Sequence, residues 1–216
     1  VAEHIVTGLE PVKRKKGWFE LNVKGKPPFY IDEETIYKNS VGVGEILSES
    51  RLKQIKEQSD RAWLKYRAFQ ILSRRTLPER ELRRKLSAER RPAALRDEVL
   101  SWLKEYGYIN DFQYACSYIR SQMSGGGRSR LYLKKKLFEK GINGETSELA
   151  LNSELAEYDE EAIALELSRK KMKSLKDDKP LKAKQRLAAF LRSRGFGWDA
   201  INKAASILID NKRELD

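Results

Sequence analysis

YLKKKLFEKG, residues 132–141, sets two leucines four apart around three lysines and ends on a glycine. At 100° per residue Leu133 and Leu137 lie on one side of an α-helix. Gly141 stands where such a helix closes in a left-handed residue. Two other segments align with this one without gaps: ELRRKLSAER (81–90) and RLAAFLRSRG (186–195). Their leucine pairs are Leu82 with Leu86 and Leu187 with Leu191, at spacings of 51 and 54 residues. Gly195 repeats the closing glycine, whereas the first copy has Arg90 there, followed by Arg91 and Pro92, which predicts a turn of different construction.

Each copy has helical patterning on both sides. RAWLKYRAFQILSR, DFQYACSYIRSQM and DEEAIALELSRKKM come before; PAALRDEVLSWLKEY, NGETSELALNSELAEY and WDAINKAASILI come after. The pattern predicts three helices, three times, over residues 59–109, 110–158 and 159–216. A repeat of about fifty residues buries little alone, so copies must share apolar faces in series. The expected fold is mostly α, an elongated, curved array of three tandem three-helix repeats. Thr76 with Glu79 reads as a capping box, Gly107 closes the helix ending at Tyr106, and Asn110 or Asp111 opens the next.

Residues 1–58 differ in texture. HIVTGLEPV, WFELNV and PPFYI are short β-rich runs separated by KRKKG and KGKPP, which carry turn residues and charge. They predict a small β-hairpin or three-stranded segment. DEETIYKNS and GEILSESRLKQI open to helical spacing, with Asp32 and Ser48 as caps.

Charge is unevenly distributed. The chain carries 44 basic and 32 acidic residues, a net +12. Residues 1–60 and 142–216 are each neutral, and residues 61–141 hold twenty basic and eight acidic groups, so the whole surplus is central. That favours a polyanionic or acidic partner. One cysteine, Cys116, excludes an internal disulfide and a cysteine-based zinc site, and one histidine, His4, leaves no histidine-based metal or relay site. No apolar run approaches the roughly eighteen residues of a membrane span. The composition points to a cytoplasmic chain with no cofactor.

GGGRSRLYLKKKLFEKGI, residues 125–142, resembles a phosphate loop only in its glycines and fails on spacing: the nucleotide signature is Gly-x-x-x-x-Gly-Lys-Ser/Thr, and Gly125, Gly126 and Gly127 lead into Arg128, Ser129 and Arg130 instead. The glycines are expected instead to break the chain and turn it at positive φ. Projection places Leu131, Leu133, Leu137 and Phe138 across one broad apolar sector. It sets Arg128, Tyr132, Lys135, Lys136 and Lys140 opposite, a cationic face with a ring in it that suits a phosphate backbone. Arg74, Arg75, Arg80, Arg83, Arg84 and Lys85 extend the basic surplus into the first repeat. Carboxylates from Glu145 to Glu161 could be imagined as nuclease ligands, but ligand type favours a solvated or DNA-repelling patch. Trp63, Trp102, Tyr106, Tyr108, Phe112 and Trp198 are expected in core and inter-repeat packing, and Cys116 as a buried thiol. No catalytic set converges.

Four motifs, RTLPERELRRKL, EYGYINDFQYACSYIRSQ, GGGRSRLYLKKKLFEKGI and RLAAFLRSRGFGWDAI, span about residues 61–208 and resemble the RecX family of bacterial regulators of the RecA recombinase. The N-terminal strands resemble the extra segment of longer members, while Arg90 and Gly197 depart from the family pattern. The resemblance implies a monomeric protein without enzymatic activity that lies in the groove of the RecA filament on DNA. It also implies lowered ATP hydrolysis, strand exchange and repressor self-cleavage. The candidate RecA or DNA contacts are Arg74, Arg75, Arg80, Arg83, Arg84, Lys85, Arg128, Arg130, Tyr132, Lys134, Lys135, Lys136 and Lys140. A helical module that binds single- or double-stranded DNA without RecA is the alternative.

Overall fold

The computed structural model describes residues 3–175 and 179–213, with side chains as far as Ile207. The chain divides into two compact units, Val1–Ile109 and Asn110–Asp216.

The first unit opens with an antiparallel sheet of four strands in the order β3-β2-β1-β4. β1 (Glu3–Pro11), β2 (Trp18–Val23) and β3 (Phe29–Asp32) come from the three β-rich runs. Alternation along them sends Val6, Leu21, Val23, Phe29 and Ile31 to one buried face, where Val41, Leu47, Leu52 and Ile55 complete the core. A short helix, α1 (Glu33–Lys38), follows β3, capped by Asp32 as its sequence predicts. The fourth strand, β4 (Ile46–Ser48), corrects the expected three: Glu3, His4 and Ile5 of β1 pair with Ser48, Leu47 and Ile46. Three residues carry no local strand signal, and the free edge of β1 recruits them.

Ser48 then caps α2 (Glu49–Leu72), which accepts into two cores. Leu52 and Ile55 close the sheet, while Leu64 and Ala68 enter the first helical group. The sheet is clamped to that group by an edge-on pair, Trp18 and Trp63, with centroids 4.9 Å apart at 89°. Such a pair adds about 0.5–1.5 kcal/mol beyond the area it buries. Lys15 lies 4.4 Å over the Trp63 ring and 4.6 Å over Tyr30.

Three helical groups follow the plan read from the leucines. The first is α2 with α3 (Glu79–Ser87) and α4 (Ala93–Glu105). The second is α5 (Asp111–Ser124), α6 (Arg130–Lys140) and α7 (Gly144–Glu154), and the third α8 (Glu160–Lys173), α9 (Pro180–Ser193) and α10 (Trp198–Arg213). Each has its own core, built around the paired leucines of its middle helix. All six leucines, from Leu82 to Leu191, are buried.

The turns after the middle helices correct one expectation. Gly141 and Gly195 have φ of 90° and 85°, and Arg90 has φ of 54°, so the first copy makes the same left-handed turn on an arginine. Helix caps agree at Asn110 and at Gly107, whose φ is 73°. They disagree at α3, where Pro78, not Thr76, occupies the cap position. The proline ring presets the extended backbone that a capping residue needs.

Candidate interaction surface

α3, α6 and α9 each bury the leucine stripe and turn the opposite face to solvent. Equivalent outward positions are Arg80, Arg84 and Ser87 on α3, Leu131, Lys135 and Phe138 on α6, and Gln185, Ala189 and Arg192 on α9; all nine are exposed. On α6 this overturns the apolar sector expected from the sequence, because Leu131 is 72% and Phe138 70% exposed. The reason is phase. At 100° per residue, Leu131 lies about 200° from Leu133, while seven residues bring Phe138 back almost into register with Leu131. Two large apolar side chains therefore flank Lys135 on open surface, the combination that marks a contact site.

The basic candidates fall into two kinds. Arg75 pairs with Glu81 at 2.6 Å, and Arg83 reaches Glu79 at 3.0 Å and also Asp97, tying α3 to α4. Arg130 holds Glu148 at 2.6 Å and Asn152 at 2.7 Å, Lys134 shares that Glu148, and Lys136 pairs with Glu139 at 2.7 Å. These charges are partly neutralised within the fold. Lys140 sits 4.8 Å over Tyr118, and Arg128 and Lys136 lie 5.4 and 5.7 Å from the half-buried Tyr132 ring. Arg74, Arg80, Arg84, Lys85 and Lys135 have no ion pair among the described residues.

The glycine loop has a packing role. Gly126 and Gly127 adopt φ of 108° and 73°, as the sequence predicts. A Cβ on Gly127 would stand 2.8 Å from Ile163 Cγ2 of α8, so the loop seats the second group against the third. Across the same seam a Cβ on Gly195 would meet Tyr132 Cβ at 2.5 Å and Ser129 Oγ at 2.6 Å. The Tyr158 hydroxyl donates to the Arg128 carbonyl at 2.6 Å, and burial pushes its pKa upward.

The acidic block is distributed over structural duties. Asp159 caps α8, Glu160 accepts from the Arg130 N–H, Glu161 pairs with Lys203, and Glu154 pairs with Arg120. No group of three or more His, Cys, Asp or Glu among the described residues could hold a metal ion. Cys116 is buried, and burial followed by the neighbouring Glu154 raises its thiol pKa, so it is a poor nucleophile. No helix among the described residues is long and apolar enough to cross a membrane.

Trp63 is buried as expected, but Tyr106, Tyr108, Phe112 and Trp198 are exposed rather than core. Tyr108 meets Phe69 at 4.9 Å and Trp102 at 5.6 Å, Tyr106 meets Trp102 at 4.9 Å, and Lys65 stands 3.7 Å over Trp102. These rings pack mainly on one another at the surface of the first group. Helical spacing alone could not separate that arrangement from a core.

Repetition of one three-helix unit, with a leucine-paired middle helix in every copy, makes this a tandem three-helix-repeat protein. Sequence comparison narrows the class: residues 110–151 match the RecX second three-helix domain and residues 159–205 the RecX third three-helix domain. Over these segments the chain is similar to the RecX family. It is 29% identical over 209 residues to the Regulatory protein RecX of Clostridium perfringens strain 13, covering 96% of this chain and 97% of that one. With the Regulatory protein RecX of Clostridium acetobutylicum it shares 26% over 204 residues, covering 93% and 94%. A crystal structure of a regulatory protein RecX aligns at a TM-score of 0.66 and 22% identity over 96% of this chain and 99% of that chain. RecX from Lactobacillus salivarius aligns at 0.58 and 23% over 69% and 96%, and both neighbours support the fold.

Proposed function

We propose that this chain is a cytoplasmic, monomeric regulator that binds the RecA filament on DNA and lowers its ATP hydrolysis, strand exchange and support of repressor self-cleavage. It acts in homologous recombination, DNA repair and the SOS response, by occupancy rather than by chemistry of its own. The observation that carries this reading is the outward face of the middle helices. Arg80 and Arg84 on α3 and Leu131, Lys135 and Phe138 on α6 are exposed and form no ion pair in the described structure. Unneutralised cations favour an acidic or phosphate-bearing partner, and apolar anchors supply affinity that salt does not screen. The further candidate contacts are Arg74, Arg75, Arg83 and Lys85 in the first unit and Arg128, Arg130, Tyr132, Lys134, Lys136 and Lys140 in the second.

The test is ATP hydrolysis by RecA preassembled on single-stranded DNA, titrated with this protein at two salt concentrations. Inhibition that saturates and survives the higher salt supports the filament as the target. Tight binding to naked DNA with no effect on RecA favours the direct DNA-binding module, a reading supported by the Phe69, Trp102, Tyr106 and Tyr108 rings with Lys65 beside them.

A further inference from the structure

Where the loop carrying Arg128 meets the turn carrying Arg194, two guanidinium groups have no counter-charge within ion-pair distance among the described residues. The Ser129 N–H donates to the Arg194 carbonyl at 3.1 Å, and Ser129 Oγ donates to the Gly195 carbonyl at 2.7 Å. Both arginines are thus fixed at their backbones. Arg194 lies over Phe190, its Cζ 3.8 Å from the ring centroid, and Lys171 approaches the same ring at 5.6 Å. Arg128 lies over Tyr132 at 5.4 Å, and among the described residues its side chain makes one hydrogen bond, a long one of 3.4 Å to the Gly127 carbonyl.

The Nε atoms of Arg128 and Arg194 are buried and have no hydrogen-bond partner. Neither arginine has a carboxylate within ion-pair distance among the described residues, whereas Arg91, which also has a buried unpaired Nε, holds Asp60 at 2.6 Å. Burial lowers the pKa of Arg194, and Arg128 lowers it further. Two like charges near one another repel, and an anion between them removes that cost. The end of α6 does not supply the donors, because its first N–H groups already bind Ser129 Oγ at 3.1 Å and Glu160 at 3.2 Å.

We propose that Arg128 and Arg194 form a receptor for one backbone phosphate of a nucleic acid at the seam between the second and third helical groups. This deepens the preceding reading and rests on its placement of the protein beside DNA. A guanidinium offers a planar fork that matches phosphate oxygens, and one phosphodiester can accept from two forks at once. Nucleic acid is preferred to an acidic protein surface because rings alternate with cations here. Tyr132 lies beside Arg128, and the exposed Trp198 carries Arg192 at 4.3 Å on its face. That alternation follows a strand's sugar–phosphate and base pattern, whereas carboxylates have no use for the rings.

The experiment measures anisotropy of a fluorescein-labelled oligothymidylate bound to the full chain across a salt series. It compares Arg128→Gln/Arg194→Gln, Arg194→Lys and, as a control of equal charge loss to the double change, Lys13→Gln/Lys24→Gln at exposed positions of the sheet segment. The double variant is expected to bind about tenfold more weakly, with the slope of log K against log salt reduced by about 0.7, the value for one single-strand phosphate. Arg194→Lys should fall between, having charge without the fork. The double variant should melt no lower than the parent, since it removes a repulsion. Unchanged affinity and slope, or full binding by Arg194→Lys, overturns the receptor. If DNA binding is intact while inhibition of RecA ATPase is lost, the forks serve an acidic protein surface: the phosphate assignment fails and the regulatory reading stands.

Discussion

Ser129 Oγ donates a hydrogen bond of 2.7 Å to the carbonyl of Gly195, joining the cap of α6 to the turn after α9. The same oxygen accepts from the Tyr132 N–H at 3.1 Å, so one hydroxyl opens a helix and anchors its neighbour. Gly195→Ala sets a Cβ within 2.5 Å of Tyr132 Cβ at a φ of 85°. A loss of about 2–4 kcal/mol in urea unfolding is expected, from overpacking plus the left-handed backbone. Ser129→Ala, which leaves the cap unsatisfied, is expected to cost about 1–2 kcal/mol.

Leu131 and Phe138 contribute little to their own helix's core, being largely solvent-exposed. Leu131→Glu and Phe138→Glu should change unfolding free energy by no more than about 0.5 kcal/mol, the usual range for surface positions. Their effect belongs to the partner. The concentration giving half-inhibition of RecA ATPase should rise about tenfold or more for each, as for a central interface anchor; an unchanged titration removes this face from the contact.

Reversal of the unpaired cations should separate from reversal of the paired ones. Arg84→Glu and Lys135→Glu are expected to weaken inhibition more at low salt than at high, with unchanged melting. Arg83→Glu instead breaks the pairs with Glu79 on α3 and Asp97 on α4, placing three carboxylates together, and should lower the melting temperature. Circular-dichroism melts beside the ATPase titration distinguish the two effects. Equal behaviour of all three variants would mean that intramolecular pairing does not select the contact residues.

Glu89 reports on the clamp between the sheet and the first helical group. Its carboxylate accepts from Trp63 Nε1 at 2.8 Å and Arg67 Nε at 2.7 Å. Burial alone would raise its pKa, but these donors together with the charges of Arg67 and Arg91 hold it below the ordinary carboxylate range. A depressed folded-state pKa means that its stabilisation is complete above the unfolded value near 4.3 and is lost as pH falls through the folded value. Glu89→Gln should lower stability at pH 7 by about 1.5–3 kcal/mol, the worth of hydrogen bonds to a charged group. It should also flatten the decline below pH 4.3. Thermal melts from pH 3 to 7 provide the check, and parallel curves for parent and variant would remove Glu89 from the linkage.

The helical plan was legible because a leucine pair and the glycine at its end state a helix and its stop within ten residues. Arg90 broke the rule locally: a left-handed arginine is disfavoured by propensity, and only the packed turn reveals it. β4 was illegible for a related reason, since three residues acquire strand geometry from β1 rather than from their own composition. The outward position of Leu131 and Phe138 was available from helix phase, and broad grouping by hydrophobicity obscured it. The Gly127 and Gly195 contacts could not be read at all, because the atoms crowding them, on Ile163, Tyr132 and Ser129, are distant in sequence. Nor does sequence say which cations already have a carboxylate, and that divides Arg83 from Arg84.

α2 belongs to both the sheet core and the first helical core. The first hundred residues therefore have no weak joint at which one half can melt while the other survives. Heat or force applied to the strands is transmitted along a single rod into the helices, so this end of the protein should fail as a block, and a fragment that begins partway along the rod inherits a frayed first helix instead of a clean module.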